Sequence, residues 1–132
     1  MAECKCSCSG NCAVNTAQSN VFACAGASNV GKLSVDLAIE LHKLNSYRMG
    51  CASGVGADIC GFKEATEGNE VANLIIDGCG VSCLKQMFAK KGISNFRHII
   101  LTEMGIRKES DFNYDQQEIK RLITLINNKR SK

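Results

Sequence analysis

The chain has no proline and no tryptophan, and with two Tyr and five Phe in 132 residues it has little aromatic surface of any kind. So few aromatic platforms leave little for nucleic-acid bases to stack on. A formal charge of only +3, spread along the chain, supplies no basic face for phosphates. Lys129, Arg130 and Lys132 form a small basic tip that a solvated terminus explains. No stretch approaches the roughly 18 unbroken apolar residues of a membrane span. The opening MAECKCSCSGNC lacks the apolar core of a secretory signal. These absences point to a cytoplasmic protein whose partners are neither nucleic acid nor membrane. No linker and no internal repeat divides the chain, and its length fits one domain with an ordinary core.

Cysteine is what the chain has in excess: nine residues, an odd number, against two histidines. The rest of the sequence can build a core without covalent staples. In a reducing compartment such thiols bind metal or do redox work.

Residues 1–19 form a polar arm rich in Cys, Ser and Asn, and residues 20–132 carry the domain. VFACAG (21–26) is a short buried strand ending at a glycine. Ser28 or Asn29 can cap the helix that follows, in which Leu33, Leu37, Leu41 and Leu44 share a face. A weaker strand at Tyr47–Met49 runs into the glycine-rich CASGVGADICG, with a short helix expected near Ile59–Glu67. NLIIDGCG (73–80) is a buried strand, and Leu84, Met87 and Phe88 form the inner face of the next helix, which ends at Lys91-Gly92. HIILTEMG (98–105) supplies a fourth strand, and Asp115 caps a last helix carrying Ile119, Leu122, Ile123 and Ile126. Strands alternating with helices predict a single Rossmann-like α/β domain. Its four parallel strands, near 21–25, 47–51, 73–77 and 98–102, take the order 2-1-3-4, with helices on both faces.

In such sheets, ligands sit beyond the carboxyl ends of the strands. Cys24, Cys51 and Cys79 each follow a different strand to that edge, and Cys83 lies one helical turn beyond Cys79. A helix beginning by Cys79 would put Cys79 and Cys83 on one face. Four thiolates from three loops are what a closed tetrahedral zinc site requires. The alternative for Cys24 and Cys51 is that they are small buried hydrophobes. His42, mid-helix, and His98, at the start of the fourth strand, read as ordinary surface or boundary residues, so a four-cysteine site is favoured over a Cys/His mixture.

GASNVGKL (26–33) matches the phosphate-binding loop of nucleotide-hydrolysing domains at seven of eight positions. The eighth requires a Ser or Thr hydroxyl for Mg²⁺, and it is Leu33. Ser34 is one residue out of place. The loop therefore reads as a tight strand-to-helix turn whose helix N-terminus, with Lys32, would favour the net −2 charge of a zinc tetrathiolate.

Asp77-Gly78-Cys79, the CAGASNVG stretch (24–31), Cys51 and the Cys6-Ser7-Cys8-Ser9-Gly10 run resemble the DGC-domain family, small prokaryotic proteins named for the Asp-Gly-Cys motif and described as zinc-binding. The resemblance spans nearly the whole chain. It implies that Cys24, Cys51, Cys79 and Cys83 chelate the metal. Family members often carry Pro after the motif, where this chain has Gly80.

The leading expectation is thus a zinc protein with a role in metal handling or sensing. A closed set of four ligands leaves no open coordination position, so the reading leans away from an enzyme. The alternatives are a thiol-dependent redox or sulfur-transfer enzyme using Cys79 and Cys83, without any Cys-x-x-Cys in support, or an iron–sulfur cluster on the same thiolates. Cys4, Cys6, Cys8 and Cys12 have the spacing of a metal-scavenging tail, and Cys60 is a further thiol after the second strand.

Overall fold

Two short apolar runs with no polar interruption, VFA and LII, have to be covered on both faces, and they become the inner strands of the sheet. The structure, a computed structural model, describes residues 18–59, 61–67 and 71–130. Strands β1 (Asn20–Ala23), β2 (Arg48–Met49), β3 (Asn73–Asp77) and β4 (Phe96–Ile100) form an all-parallel sheet in the order β2-β1-β3-β4. This is the architecture the sequence pattern predicts. β3 is buried along its whole length.

Successive strand residues face opposite sides of the sheet, and the two sides carry separate cores. Val21, Leu74 and Ile76 pack against Leu33, Leu37 and Leu41 of α1 (Asn29–Lys43) and, behind it, Leu122 and Ile126 of α5 (Gln117–Arg130). Phe22 and Ile75 face the other side. There they meet Val55 of α2 (Ala52–Gly56), Phe62 of α3 (Phe62–Glu67), and Leu84 and Phe88 of α4 (Cys83–Lys90). Phe88 stands edge-on to Phe22 and Phe96, with ring centroids 5.0 and 5.9 Å apart, the geometry aromatic quadrupoles favour.

Several boundaries differ from expectation. The fourth strand ends at Ile100, because Leu101–Met104 winds into a 3-10 turn that closes on Gly105 in the left-handed region. The second strand shrinks to two residues, although the Gly50 amide still reaches the Val21 carbonyl at 2.9 Å. Glycine-rich 52–56 forms α2 despite poor propensity, held by burial of Val55 and by a cap from Cys51. The helix expected to begin by Cys79 starts at Cys83, after a turn that places Ser82 at φ 55°. Asp115 does cap the last helix, its carboxylate accepting the Gln117 amide at 2.9 Å. Apart from Gln18 and Ser19, the expected arm lies outside the described residues, as do Cys4, Cys6, Cys8, Cys12 and Cys60. Ser19, just before β1, is buried, and its carbonyl accepts the Arg48 amide of β2 at 2.9 Å. Among the described residues, no helix is long and apolar enough to cross a membrane.

Leu33, the residue at the hydroxyl position of a phosphate loop, is fully buried in the α1 core. Leu33→Thr should therefore lose about 3 kcal/mol of stability, from lost packing and a buried hydroxyl, measured as a lower urea midpoint. It should gain no ATP affinity by calorimetry, and micromolar ATP binding by the parent protein would contradict this account of the loop.

Candidate functional site

The carboxyl edge of the sheet is built from two loops pressed together. The first, residues 24–28, leads from β1 to α1, with Ser28 as N-cap, its hydroxyl accepting the Gly31 amide at 3.2 Å. The second, residues 78–82, leads from β3 to α4. Two glycines permit this packing, Gly31 within the first loop and Gly78 between the second loop and the start of α1. A Cβ on Gly31 would lie 2.2 Å from the Gly26 carbonyl oxygen, and one on Gly78 would meet Val30 and Gly31 at 3.0 to 3.2 Å. Much of the resemblance to a phosphate loop is therefore a packing requirement. Ser34 is fully buried, and its single hydroxyl proton is shared between the carbonyls of Cys24 and Gly31. Lys32 points away from the edge: its Nζ lies 2.7 Å from Asp36 and 5.1 Å from the centroid of the Tyr114 ring. The Tyr114 hydroxyl also donates to Asp36. Partial burial pushes the Asp36 carboxyl up, and hydrogen bonds from Lys32 and Tyr114 outweigh it, so the group sits below its usual range. Lys32 is thus held by a neighbouring carboxylate, and the expectation that it would offset thiolate charge is corrected.

Another lysine lies at this edge. Lys108 Nζ approaches Cys79 Sγ at 3.5 Å. Its loop is clamped by Asn29, a buried residue whose side-chain amide donates to the Arg107 carbonyl at 2.8 Å and accepts the Glu109 amide at 2.7 Å. The Asn29 backbone amide adds a bond to the Glu109 carbonyl at 3.2 Å. The loop after β4 is thereby fastened to the N-terminus of α1, over the thiols.

Asp77 organises the second loop. It is 1% exposed, and both carboxylate oxygens accept amides from the first turn of α4: Oδ1 from Leu84 at 3.0 Å and Oδ2 from Lys85 at 3.2 Å. Ser82, at the formal N-cap, makes no side-chain cap of its own, so Asp77 caps this helix from the end of β3. Oδ2 also lies 2.7 Å from His98 Nε2. A carboxylate only accepts, so His98 is the donor. The Asp-Gly-Cys motif thus has three separate duties: Asp fixes the helix, Gly admits α1, and Cys presents a thiol.

The four expected ligands are distributed unevenly. Cys24 and Cys79 are partly buried, and Cys51 and Cys83 are exposed. Burial pushes the Cys24 thiol above its ordinary value, and the charges of Asp77, Cys83 and Cys79 push it further, against a lowering hydrogen bond from the Gly78 backbone. Cys51 is the N-cap of α2, its Sγ accepting the Gly54 amide at 3.3 Å. Among the described residues, no group of three or more His, Cys, Asp or Glu is arranged so that it could hold a metal ion as the side chains stand. The donor chemistry suits a thiophilic metal, and the thiol side chains would have to turn toward one another to share it. His42 does not join them: its Nδ1 accepts the Met49 amide at 3.0 Å.

Sequence reading did not anticipate Asn29 as a clamp, Lys108 as the cation at the thiols, or His98 as the donor to Asp77. The loop after β4 reaches the same sheet edge as the others, so Lys108 was reachable by the topological rule alone. For His98 the signal was register: it pairs with Ile75 on β3, which places it on the same sheet face as Asp77 two residues on.

A family model described as the DGC domain matches residues 20–126. Among known proteins, the chain is similar to the "Anaerobic and virulence modulator AnvM" of Pseudomonas aeruginosa, with 34% identity over 104 residues covering 78% of each chain. No solved structure matches it.

With every upward influence on Cys24 being burial or negative charge, its alkylation by iodoacetamide in metal-free protein should still be accelerating above about pH 9. A rate already level by about pH 8.5 would contradict the burial that raises this thiol.

Proposed function

The chain belongs to the DGC-domain family, and from that membership we propose that it binds one zinc ion through the thiolates of Cys24, Cys51, Cys79 and Cys83 and serves in metal handling or sensing. The observation that carries this reading is the packing of the loop that bears Cys79 against the start of α1, just beyond Cys24, with Lys108 Nζ 3.5 Å from Cys79 Sγ. Negative charge gathered in a partly buried place raises the cost of each further thiolate, and a cation relieves that cost. Lys108 and the N-terminus of α1 would offset part of the excess charge of a metal tetrathiolate. Cys51 Sγ already accepts an amide, and a thiolate bound to metal can keep such a bond in charge-assisted form. The name of the Pseudomonas relative, a modulator, favours a regulatory use of the metal over a catalytic one.

A redox enzyme built on Cys83 draws less support. Cys83 is the first residue of α4, but the positive end of that helix is already met by the buried Asp77 carboxylate.

Elemental analysis of protein purified anaerobically should find one zinc per chain and no visible absorption band. Iron with sulfide would indicate a cluster, and metal-free protein with fast-reacting thiols would indicate redox chemistry. Chelation of the zinc should lower the thermal midpoint by roughly 10 °C. Cys→Ser at any of positions 24, 51, 79 and 83 should weaken metal retention far more than Cys4→Ser or Cys60→Ser, and His42→Ala should leave it unchanged. Full metal in all four variants, with loss only from the amino-terminal cysteines, would overturn the assignment.

A further inference from the structure

Cys79 and Cys83 flank a turn closed by one backbone hydrogen bond, from the Ser82 amide to the Cys79 carbonyl at 3.1 Å. Ser82 sits at φ 55°, in the left-handed region that a non-glycine residue occupies at a cost, and it gives α4 no side-chain cap. The helix start that follows is fixed from outside by Asp77, two residues before Cys79, whose oxygens take the amides of Leu84 and Lys85, directly after Cys83. A carboxylate at the end of one strand can still rotate about its side-chain bonds. A third donor from a different element stops that rotation. His98 is that donor: it projects from β4, is 14% exposed, and reaches Oδ2 at 2.7 Å. β4 is itself in register with β3 through Asp77 and Ile100.

Resting on the metal-binding reading, we infer that His98 is a positioning residue of the thiol site. It touches no thiol. It locks the Asp77 carboxylate, which locks the first turn of α4, and so fixes the backbone from which Cys83, and Cys79 across the turn, would reach a shared ion. Donors behind metal ligands commonly decide how long a metal stays, because they fix ligand orientation before the metal arrives. The need at position 98 is for an N–H aimed at Asp77 Oδ2 and not for an imidazole as such, so a side chain of similar reach that carries an amide N–H should replace it.

The test uses the full chain loaded with Zn²⁺ under anaerobic conditions, with zinc release to an excess of colorimetric chelator read as a rate. Amide exchange at Leu84 and Lys85 in the zinc-free protein is the second readout. His98→Leu should release zinc about 10- to 100-fold faster than the parent and exchange those two amides faster. His98→Gln, which restores an N–H donor, should stay within about threefold of the parent on both readouts. A parental release rate in His98→Leu would overturn the inference. So would fast release from a His98→Gln protein whose zinc-free thermal midpoint matches the parent, and that variant decides the matter if His98→Leu does not fold. If the parent takes up no zinc, or zinc that substitution of the four cysteines does not affect, the metal reading fails and the inference falls with it. That failure is told apart by appearing in the parent before any His98 variant is compared.

Discussion

The buried carboxylate of Asp77 is the tie on which the sheet edge depends. It ends the most deeply buried strand, caps the helix that follows, and accepts a hydrogen bond from the neighbouring strand. A charge held at 1% exposure is costly unless its acceptor sites are filled. Here three donors from two elements fill them. Removing any one leaves the carboxylate underpaired in a place water does not easily reach, so the arrangement holds together as a unit. The two thiols nearest to it in sequence, Cys79 and Cys83, inherit their positions from that unit.

The other half of the edge depends on closeness more than on charge. Gly31 lets the loop before α1 fold back on its own helix, Gly78 lets the loop before α4 reach the first turn of α1, and Asn29 draws the loop after β4 to the same helix start. Three loops from three strands are thereby compressed into a small volume that holds Cys24, Cys79 and Lys108. A nucleotide-binding loop solves a similar geometric problem with similar residues, which is why the sequence resembles one. The resemblance ends where the chemistry begins: Leu33 is core, Ser34 braces the backbone, and Lys32 is held by Asp36.

Strand order and the identity of the sheet edge were legible in the sequence because they rest on local signals: apolar runs of strand length, helical spacing of leucines, and the rule that connections in parallel sheets are right-handed. Boundaries were less legible where a local signal competed with packing. Leu101 has strand character but serves a turn, and the glycines of α2 argue against a helix that Val55 and Cys51 nonetheless hold. The contacts that organise the site were the least legible. Asn29 meets residues 107–109, and His98 meets Asp77, across 78 to 80 and 21 positions of sequence respectively. Nothing local to either residue announces its partner. A polar residue at a strand position facing a buried acid was the one available clue for His98.

The central claim is that the thiols at this edge share a metal ion. X-ray absorption at the zinc edge tests it most directly, on the zinc-loaded full chain carrying Ser in place of Cys4, Cys6, Cys8 and Cys12. The account predicts a first shell of four sulfur atoms at about 2.3 Å with no nitrogen or oxygen. A shell dominated by nitrogen or oxygen, or a protein that no longer retains zinc once the amino-terminal cysteines are gone, would contradict it.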